Sequence, residues 1–79
     1  MQPDRTSALT LDASGLQCPL PVLKARKALL NLASGQRLTV TATDPLATID
    51  FRHFCAESGN RLVAHETRDG RHVFVIERA

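Results

Sequence analysis

The chain has 79 residues, of which 43% are hydrophobic and 23% are charged, and this composition is typical of one small globular domain. A formal charge of +2 with scattered basic residues argues against a protein that tracks phosphates, and the absence of Trp and Tyr removes the stacking platforms of single-strand nucleic-acid binders. We therefore expect a protein or small-molecule partner and no direct contact with nucleic acid. A domain this small buries a small core, so its chemistry is expected near the surface.

The first residues of the chain, its apolar stretches and its cysteines predict a cellular compartment. Met1 to Ala8 is polar and is predicted to be a short N-terminal tail, with residues 9–79 forming a single domain. We see no signal peptide and no apolar stretch of membrane-spanning length, so no membrane partner is expected and the cytoplasm is the predicted compartment. Two cysteines in a reducing compartment are predicted to be free thiols.

The first half of the chain predicts a strand, a helix and a second strand. Leu9–Ala13 alternates apolar and polar residues and stops at a Ser-Gly turn, as a short strand does. Apolar residues recur at helical spacing from Pro19 to Ala33, and Gly35 is suited to end this helix near its C′ position. Apolar residues then alternate with threonines over Leu38–Thr43, which predicts the second strand.

The second half predicts another helix and a hairpin. The helix is expected within Ala47–Ser58, with Gly59 as its stop signal. Two strands over Arg61–Thr67 and Arg71–Glu77 are joined by Asp69–Gly70, a dipeptide suited to a type I′ turn. The order β-α-β-α-β-β predicts an α/β fold, a two-layer sandwich with both helices on one face of a four-stranded mixed sheet.

Regular pairing about the hairpin turn would divide its side chains between two faces. One predicted set is Val63, His65, Thr67, His72, Phe74 and Ile76, and the opposite set is Leu62, Ala64, Glu66, Val73 and Val75. Neither set is purely polar. The face without helices therefore either docks a partner or is ordinary apolar surface.

The densest chemical signal lies between the first strand and the first helix, in residues 15–21 (Gly-Leu-Gln-Cys-Pro-Leu-Pro). Proline is favoured at the first helical position, so Pro19 predicts that Cys18 is the N-cap. Because Pro21 has no N–H, the Leu20 amide is the expected donor to the sulfur. The positive end of the helix dipole would then lower the pKa of Cys18 and make it a reactive thiolate. The competing interpretation is a small apolar residue without chemistry.

Cys55 leads to a different interpretation. It shares a helix face with Phe51 and Phe54, so we expect a buried, inert thiol. The alternative is a redox switch through a bond between Cys55 and Cys18. No metal site is expected, because the cysteines and histidines lack the spacing of zinc ligands.

Three basic residues of the first helix are candidate docking residues. Lys24 and Lys27 fall opposite the apolar stripe, where they would guide a partner by charge. Arg26 falls inside the stripe. Its stem either passes over a neighbour into solvent or reaches an acidic or sulfur-bearing group near the helix start.

These residues resemble the TusA/SirA family of sulfur carriers over roughly Leu9 to Glu77. The matching motifs are Asp12-x-x-Gly15-Leu16-x-Cys18-Pro19-x-Pro21, Asp44-Pro45, and Asp50-Phe51-x-x-Phe54-Cys55 before Gly59. Asn60 departs from the pattern, since relatives often carry His there. This departure affects a partner contact at that position and not the cysteine chemistry.

The resemblance implies a sulfurtransferase that works as a carrier between proteins. Cys18 would accept sulfane sulfur as a persulfide from a donor such as a cysteine desulfurase or rhodanese-type protein, and pass it to an acceptor protein. Pro19, Leu20 and Pro21 would support that cysteine, and no cofactor is implied beyond the transient persulfide. Relatives serve tRNA thiolation, molybdenum cofactor assembly or sulfur oxidation. The alternative is a non-catalytic regulatory or protein-interaction module of the same fold.

Overall fold

A computed structural model describes residues 8–79, so the predicted N-terminal tail lies outside the described residues except for Ala8. The elements follow the predicted order: β1 (Leu9–Ala13), α1 (Leu20–Leu29), β2 (Arg37–Ala42), α2 (Ala47–Ser58), β3 (Arg61–Arg68) and β4 (Arg71–Glu77). The strands form one sheet in the order β1-β2-β4-β3, in which β1 and β2 are parallel and the other pairs are antiparallel. The predicted α/β fold with a four-stranded mixed sheet is confirmed. No helix within residues 8–79 is long and apolar enough to cross a membrane.

The core lies between the sheet and the two helices. Along β2, Leu38, Val40 and Ala42 are fully buried, while the threonines between them are half-buried. The register places Phe74 of β4 beside Val40, and the ring of Phe51 from α2 stacks on Phe74 with centroids 4.5 Å apart. Apolar burial and aromatic stacking therefore hold α2 against the centre of the sheet.

The opposite face of the sheet carries no helix among the described residues. Its side chains follow from the register and are mostly polar, with two half-buried valines: Thr10, Asp12, Thr39, Thr41, Ala64, Glu66, Val73 and Val75. This mixture is ordinary for the exposed side of an antiparallel sheet.

Helix α1 is shorter than its predicted range at both ends. Pro19 has φ −100° and ψ 17°, which is not helical, and the first helical residue is Leu20. At the other end the amides of Leu30, Asn31 and Leu32 bond to carbonyls three residues back, so the helix tightens into turns after Leu29. Leu32 is nevertheless buried, which is why the apolar periodicity extended the prediction beyond the helix.

Helix α2 and the hairpin turn follow their predictions, but the hairpin faces differ at one position. Gly59 ends α2 with a left-handed φ of 81°, as its lack of a Cβ allows. In β3 a bulge between Leu62 and Ala64 makes Val63 the extra residue, so Leu62 pairs with Ile76 and packs against the core. The prediction that placed Leu62 on the opposite face is wrong, because one inserted residue reverses the alternation of the preceding side chains.

Candidate functional site

The Cys18 loop is held at one edge of the sheet by the loop that follows β2. Because β1 and β2 are parallel, their carboxyl ends lie at the same edge, and the segments after them are neighbours. The Gly15 amide donates to Thr43 Oγ1 at 2.9 Å, and the Cys18 amide donates to Asp44 Oδ2 at 2.6 Å. These two bonds fix the backbone of the cysteine while its side chain remains exposed.

Asp44 also holds the start of α2. Its second oxygen, Oδ1, accepts a hydrogen bond from the Leu46 amide at 2.8 Å. The bonds from Leu46 and Cys18 lower the pKa of Asp44 below its ordinary value, so the carboxylate is ionised at neutral pH. One ionised side chain therefore joins the cysteine loop to the first turn of α2.

Cys18 itself is not the N-cap of α1, which corrects the prediction from the sequence. Pro19 is the N-cap and Pro21 the second helical residue, and the Cys18–Pro19 peptide bond is cis. The Leu20 amide donates to the Gln17 carbonyl at 2.8 Å, so it is not the donor expected for the sulfur. The cysteine therefore lies one residue outside the helix, beyond the position at which side chains cap helical amides.

The electrostatic surroundings of the thiol are also opposite to those predicted. The pKa of Cys18 is raised, first by the interaction of its thiol with the Asp50 side chain, then by desolvation and by the negative charges of Asp50 and Asp44. The prediction of a lowered pKa rested mainly on the dipole of α1. The two carboxyl groups come from the loop after β2 and from α2, and they favour the neutral thiol.

Exposed apolar side chains occupy both helix starts that flank Cys18. Leu20 and Leu23 of α1 are 47% and 50% exposed, and Leu46 and Ile49 at the start of α2 are 53% and 66% exposed. A groove of about 240 Å³ continues from Pro19 between the two helices. Four large apolar side chains exposed around one thiol are more than scattered surface leucines, and this concentration is typical of an interaction site.

The three candidate docking residues are all exposed, but they do not form one basic patch. Lys24 is near the end of β1, where its charge contributes to the lowered pKa of Asp12. Arg26 lines the groove between the helices together with Phe54 and Glu57. This position favours the alternative in which the apolar stem of the arginine passes over a neighbouring side chain. Positions 24 and 26 point in directions about 200° apart around a helix, which separates them.

The second cysteine lies in the core. Cys55 is only 6% exposed, and its burial raises the pKa of the thiol. This agrees with the predicted buried thiol, and both cysteines are free in the structure. Asn60, the residue that departs from the family pattern, accepts a hydrogen bond from the Ala79 amide at 2.9 Å through Oδ1.

The histidines form contacts of their own. Thr67 Oγ1 lies 3.1 Å from His65 Nε2 and 2.9 Å from His72 Nδ1 on the hairpin, while His53 pairs with Glu57 along α2. Within residues 8–79 no three side chains of the metal-ligating types are grouped to hold an ion.

Two residues of the site were not recognised from the sequence as parts of it. Asp44 and Asp50 were noted only as matches to a family pattern, although together they determine the surroundings of Cys18. A usable signal existed for Asp44, because polar residues that follow two parallel strands meet at one edge of the sheet. Asp50 depends on the docking angle of α2, for which the sequence holds no simple signal.

The fold and site together define a class of small α/β proteins that present one anchored, exposed cysteine at a helix start. Residues 9–78 match the model of the family described as sulfurtransferase TusA, and the chain therefore belongs to this family.

Similar proteins carry the same description. The sulfur carrier protein TusA of Allochromatium vinosum is 46% identical over 69 residues, covering 87% of this chain and 91% of that protein. A putative sulfur carrier protein of Neisseria meningitidis is 46% identical over 68 residues, covering 86% of this chain and 92% of that protein. The crystal structure of a SirA-like protein from Desulfitobacterium hafniense has a TM-score of 0.78 at 28% identity, covering 87% of this chain and 95% of that one. The predicted TusA/SirA resemblance is confirmed, and these relatives support a role as a sulfur carrier.

Proposed function

We propose that this protein carries sulfane sulfur between proteins as a persulfide on Cys18. The observation that carries the proposal is the Cys18 side chain, which is exposed at the edge of the sheet while its backbone is anchored to Asp44. An exposed, rigidly presented sulfur reaches the active sites of two successive partners without a pocket of its own. Membership of a sulfurtransferase family supports the same chemistry.

The transfer balances without an added oxidant. Cys18 Sγ, as the thiolate, attacks the terminal sulfur of a donor persulfide, forming one S–S bond while the donor's S–S bond breaks. The electron pair of the broken bond leaves on the donor cysteine, which takes up a proton from solvent. Repetition with an acceptor thiol removes the sulfur from Cys18. The chain needs no cofactor for either step.

The exposed apolar side chains around Cys18 form the proposed docking surface for both partners. We define this surface as Leu20 and Leu23 of α1 with Leu46 and Ile49 of α2. Lys24, Arg26 and Lys27 are exposed further along α1 and would guide approach by charge. The donor is proposed to be a cysteine desulfurase or a rhodanese-type protein. Thiolation of tRNA, molybdenum cofactor assembly and sulfur oxidation are the candidate pathways, in the cytoplasm.

Sulfur loading tests this function directly. The protein is incubated with a cysteine desulfurase and cysteine, and intact mass spectrometry is used to detect an added sulfur atom. We expect the adduct on the wild type and on Cys55→Ser, the matched control, and none on Cys18→Ser. No adduct with either a desulfurase or a rhodanese-type donor, or an equal adduct on Cys18→Ser, would contradict the proposal. Normal biological activity of Cys18→Ser would instead support the non-catalytic interaction module.

A further inference from the structure

Three polar side chains of the hairpin form a short hydrogen-bonded chain beside the start of α2. Thr67 Oγ1 lies 3.1 Å from His65 Nε2 and 2.9 Å from His72 Nδ1, so a single hydroxyl joins the two imidazoles. Thr48 Oγ1, in the first turn of α2, lies 3.5 Å from the same nitrogen of His65. We call the residues His65, Thr67 and His72 the histidine clasp, because they connect the end of the hairpin with α2.

The histidine clasp rests on the aromatic part of the core. The ring of His65 stacks on Phe74 with centroids 4.7 Å apart and an interplanar angle of 12°, and Phe74 also stacks on Phe51 of α2. The rings of His65 and His72 are tilted, with centroids 6.1 Å apart. Both histidines are half-buried, so water and salt screen charges on the two rings less than charges on fully exposed side chains.

The hydroxyl of Thr67 limits how many protons the histidine clasp can hold. It has one hydrogen to donate, and its oxygen can accept further hydrogen bonds. With no added proton, one imidazole accepts the hydroxyl hydrogen and the other donates its N–H to the oxygen. With one added proton, the charged imidazole donates and the neutral one still accepts. With two, both imidazoles donate, the hydroxyl hydrogen has no acceptor within the clasp, and two positive rings lie side by side.

We propose that the histidine clasp is an acid-sensitive connection, which joins the hairpin to α2 while it holds at most one added proton and opens when both histidines are charged. The two histidines then titrate as a coupled pair, since the first proton makes the second harder to add. The element that changes position is the end of the hairpin relative to the first turn of α2. This device does not depend on sulfur chemistry.

The surroundings of His65 disfavour the second proton. Burial is the first cause that lowers the pKa of His65 below its ordinary value of 6.5, and the positive charges of His72 and Arg52 are the next. The unfolded chain therefore binds this proton more readily than the folded protein does. The corresponding stability is complete above pH 6.5 and is lost as the pH falls through the lower folded value.

The other charged groups come from the elements packed around the histidine clasp. Helix α2 packs on β3 and β4 and contributes Arg52, and the loop after β2 contributes Asp44, whose charge interacts with His72. Helix α1 packs on β1 and β2, the other half of the sheet. The charged residues of the hairpin that alternate with the clasp residues lie on the opposite face of the sheet: Glu66, Arg68 and Arg71.

The histidine clasp lies at the same edge of the sheet as the Cys18 loop. His72 pairs with the last residue of β2, and Asp44, two residues after it, accepts the amide of Cys18. Thr48 comes two residues after Leu46, whose amide bonds to the same carboxylate. Opening of the clasp therefore loosens the first turn of α2 and, through Asp44, the anchor of the cysteine loop.

Titration of the imidazoles tests the coupling of the two histidines. Ring signals are followed against pH by NMR in the wild type, in His72→Gln, which keeps the stack of His65 on Phe74, and in His53→Gln. The last variant is the matched control, because His53 is exposed on α2 and pairs with Glu57. We expect the midpoint of His65 to rise by about 0.5 in His72→Gln, the effect of one removed charge, and to stay unchanged in His53→Gln. An unchanged midpoint of His65 in His72→Gln would overturn the proposal.

Hydrogen exchange tests the opening. Protection factors, which correct for the intrinsic effect of pH on exchange, are measured for the amides of residues 46–50 and 66–72 at about pH 7.5 and about pH 5. We expect wild-type protection to fall by roughly threefold at the lower pH, the factor for one exposed charge interaction. Protection in His72→Gln should change little, because this variant never holds two charged histidines, and His53→Gln should follow the wild type. Equal pH dependence in the wild type and His72→Gln overturns the proposal.

The Cys18 amide reports whether the opening reaches the cysteine loop. Asp44 stays ionised at about pH 5, since its pKa is lowered from 3.8, so its own titration does not contribute. We expect protection of the Cys18 amide to fall in the wild type and not in His72→Gln. Protection that does not change with pH in the wild type overturns the transmission to the cysteine loop. All measurements use the free protein without a sulfur donor, so a chain that failed to load sulfur would still show these effects.

Discussion

The amide of Cys18 donates a 2.6 Å hydrogen bond to Oδ2 of Asp44, a residue 26 positions later in the chain. The same carboxylate receives the amide of Leu46 on its other oxygen, so the proposed sulfur-bearing residue and the start of α2 share one anchor. A carrier must present its sulfur in the same position to two partners. This shared anchor supplies that reproducibility by limiting the backbone motion of an otherwise exposed loop.

Removal of the Asp44 carboxylate should loosen the cysteine loop. In Asp44→Ala the Cys18 and Leu46 amides lose their acceptor, so we expect faster hydrogen exchange at both, measured by NMR. Asp12→Ala is the control, because Asp12 Oδ1 accepts only the local bond from Ser14, two residues away. Exchange at the Cys18 amide that is equal in the wild type and Asp44→Ala would show that the bond contributes no protection.

Stability in acid should also depend on Asp44. Its pKa is lowered from 3.8 in the folded protein, first by the bond from Leu46 and then by that from Cys18, so near this pH the unfolded chain binds more protons. Its contribution to stability is complete above pH 3.8 and is lost as the pH falls through the lower folded value.

Urea unfolding at several pH values from about 6 to about 2 measures this dependence. We expect the free energy of unfolding to fall less steeply in Asp44→Asn than in the wild type below pH 3.8. Glu66→Gln, a change at an exposed residue of β3, serves as the control. Parallel curves for Asp44→Asn and the wild type would contradict the prediction.

The second cysteine should matter for stability and not for sulfur transfer. Cys55 is buried in α2, and its replacement in Cys55→Ala leaves a small space, with an expected cost of about 1 kcal/mol in the free energy of unfolding. Sulfur loading of Cys18 should be retained. Loading that is abolished in Cys55→Ala, while circular dichroism shows a folded protein, would favour the redox switch through both cysteines.

The docking surface should respond to the loss of a single apolar side chain. Ile49 is 66% exposed, so Ile49→Ala should change stability by less than about 0.5 kcal/mol and slow sulfur transfer from a donor several-fold. Leu30→Ala is the matched control, because Leu30 is 70% exposed at the opposite end of α1. Single-turnover transfer rates provide the comparison. Equal rates in the two variants would remove Ile49 from the docking surface.

Much of the fold could be predicted because its signals are local. The alternation in Leu38–Thr43 identified β2 to within one residue at each end, and Gly59 marked the end of α2 through its left-handed conformation. The predictions were wrong where one local sequence pattern is compatible with two different conformations. Leu32 continues the apolar spacing of α1 from within a tighter turn, and the bulge at Val63 turns Leu62 towards the core.

The sequence by itself determined the order of the elements, the exposed cysteine motif and the family, because each depends on residue types at short, fixed spacing. Only the tertiary structure decided which side chains surround Cys18. The parallel pairing of β1 with β2 brings Asp44 to the cysteine loop, and the docking of α2 brings Asp50 to the thiol. Electrostatic interactions depend on distance in space and not on separation along the chain, so the motif by itself did not predict that two carboxylates from distant positions raise the pKa of Cys18.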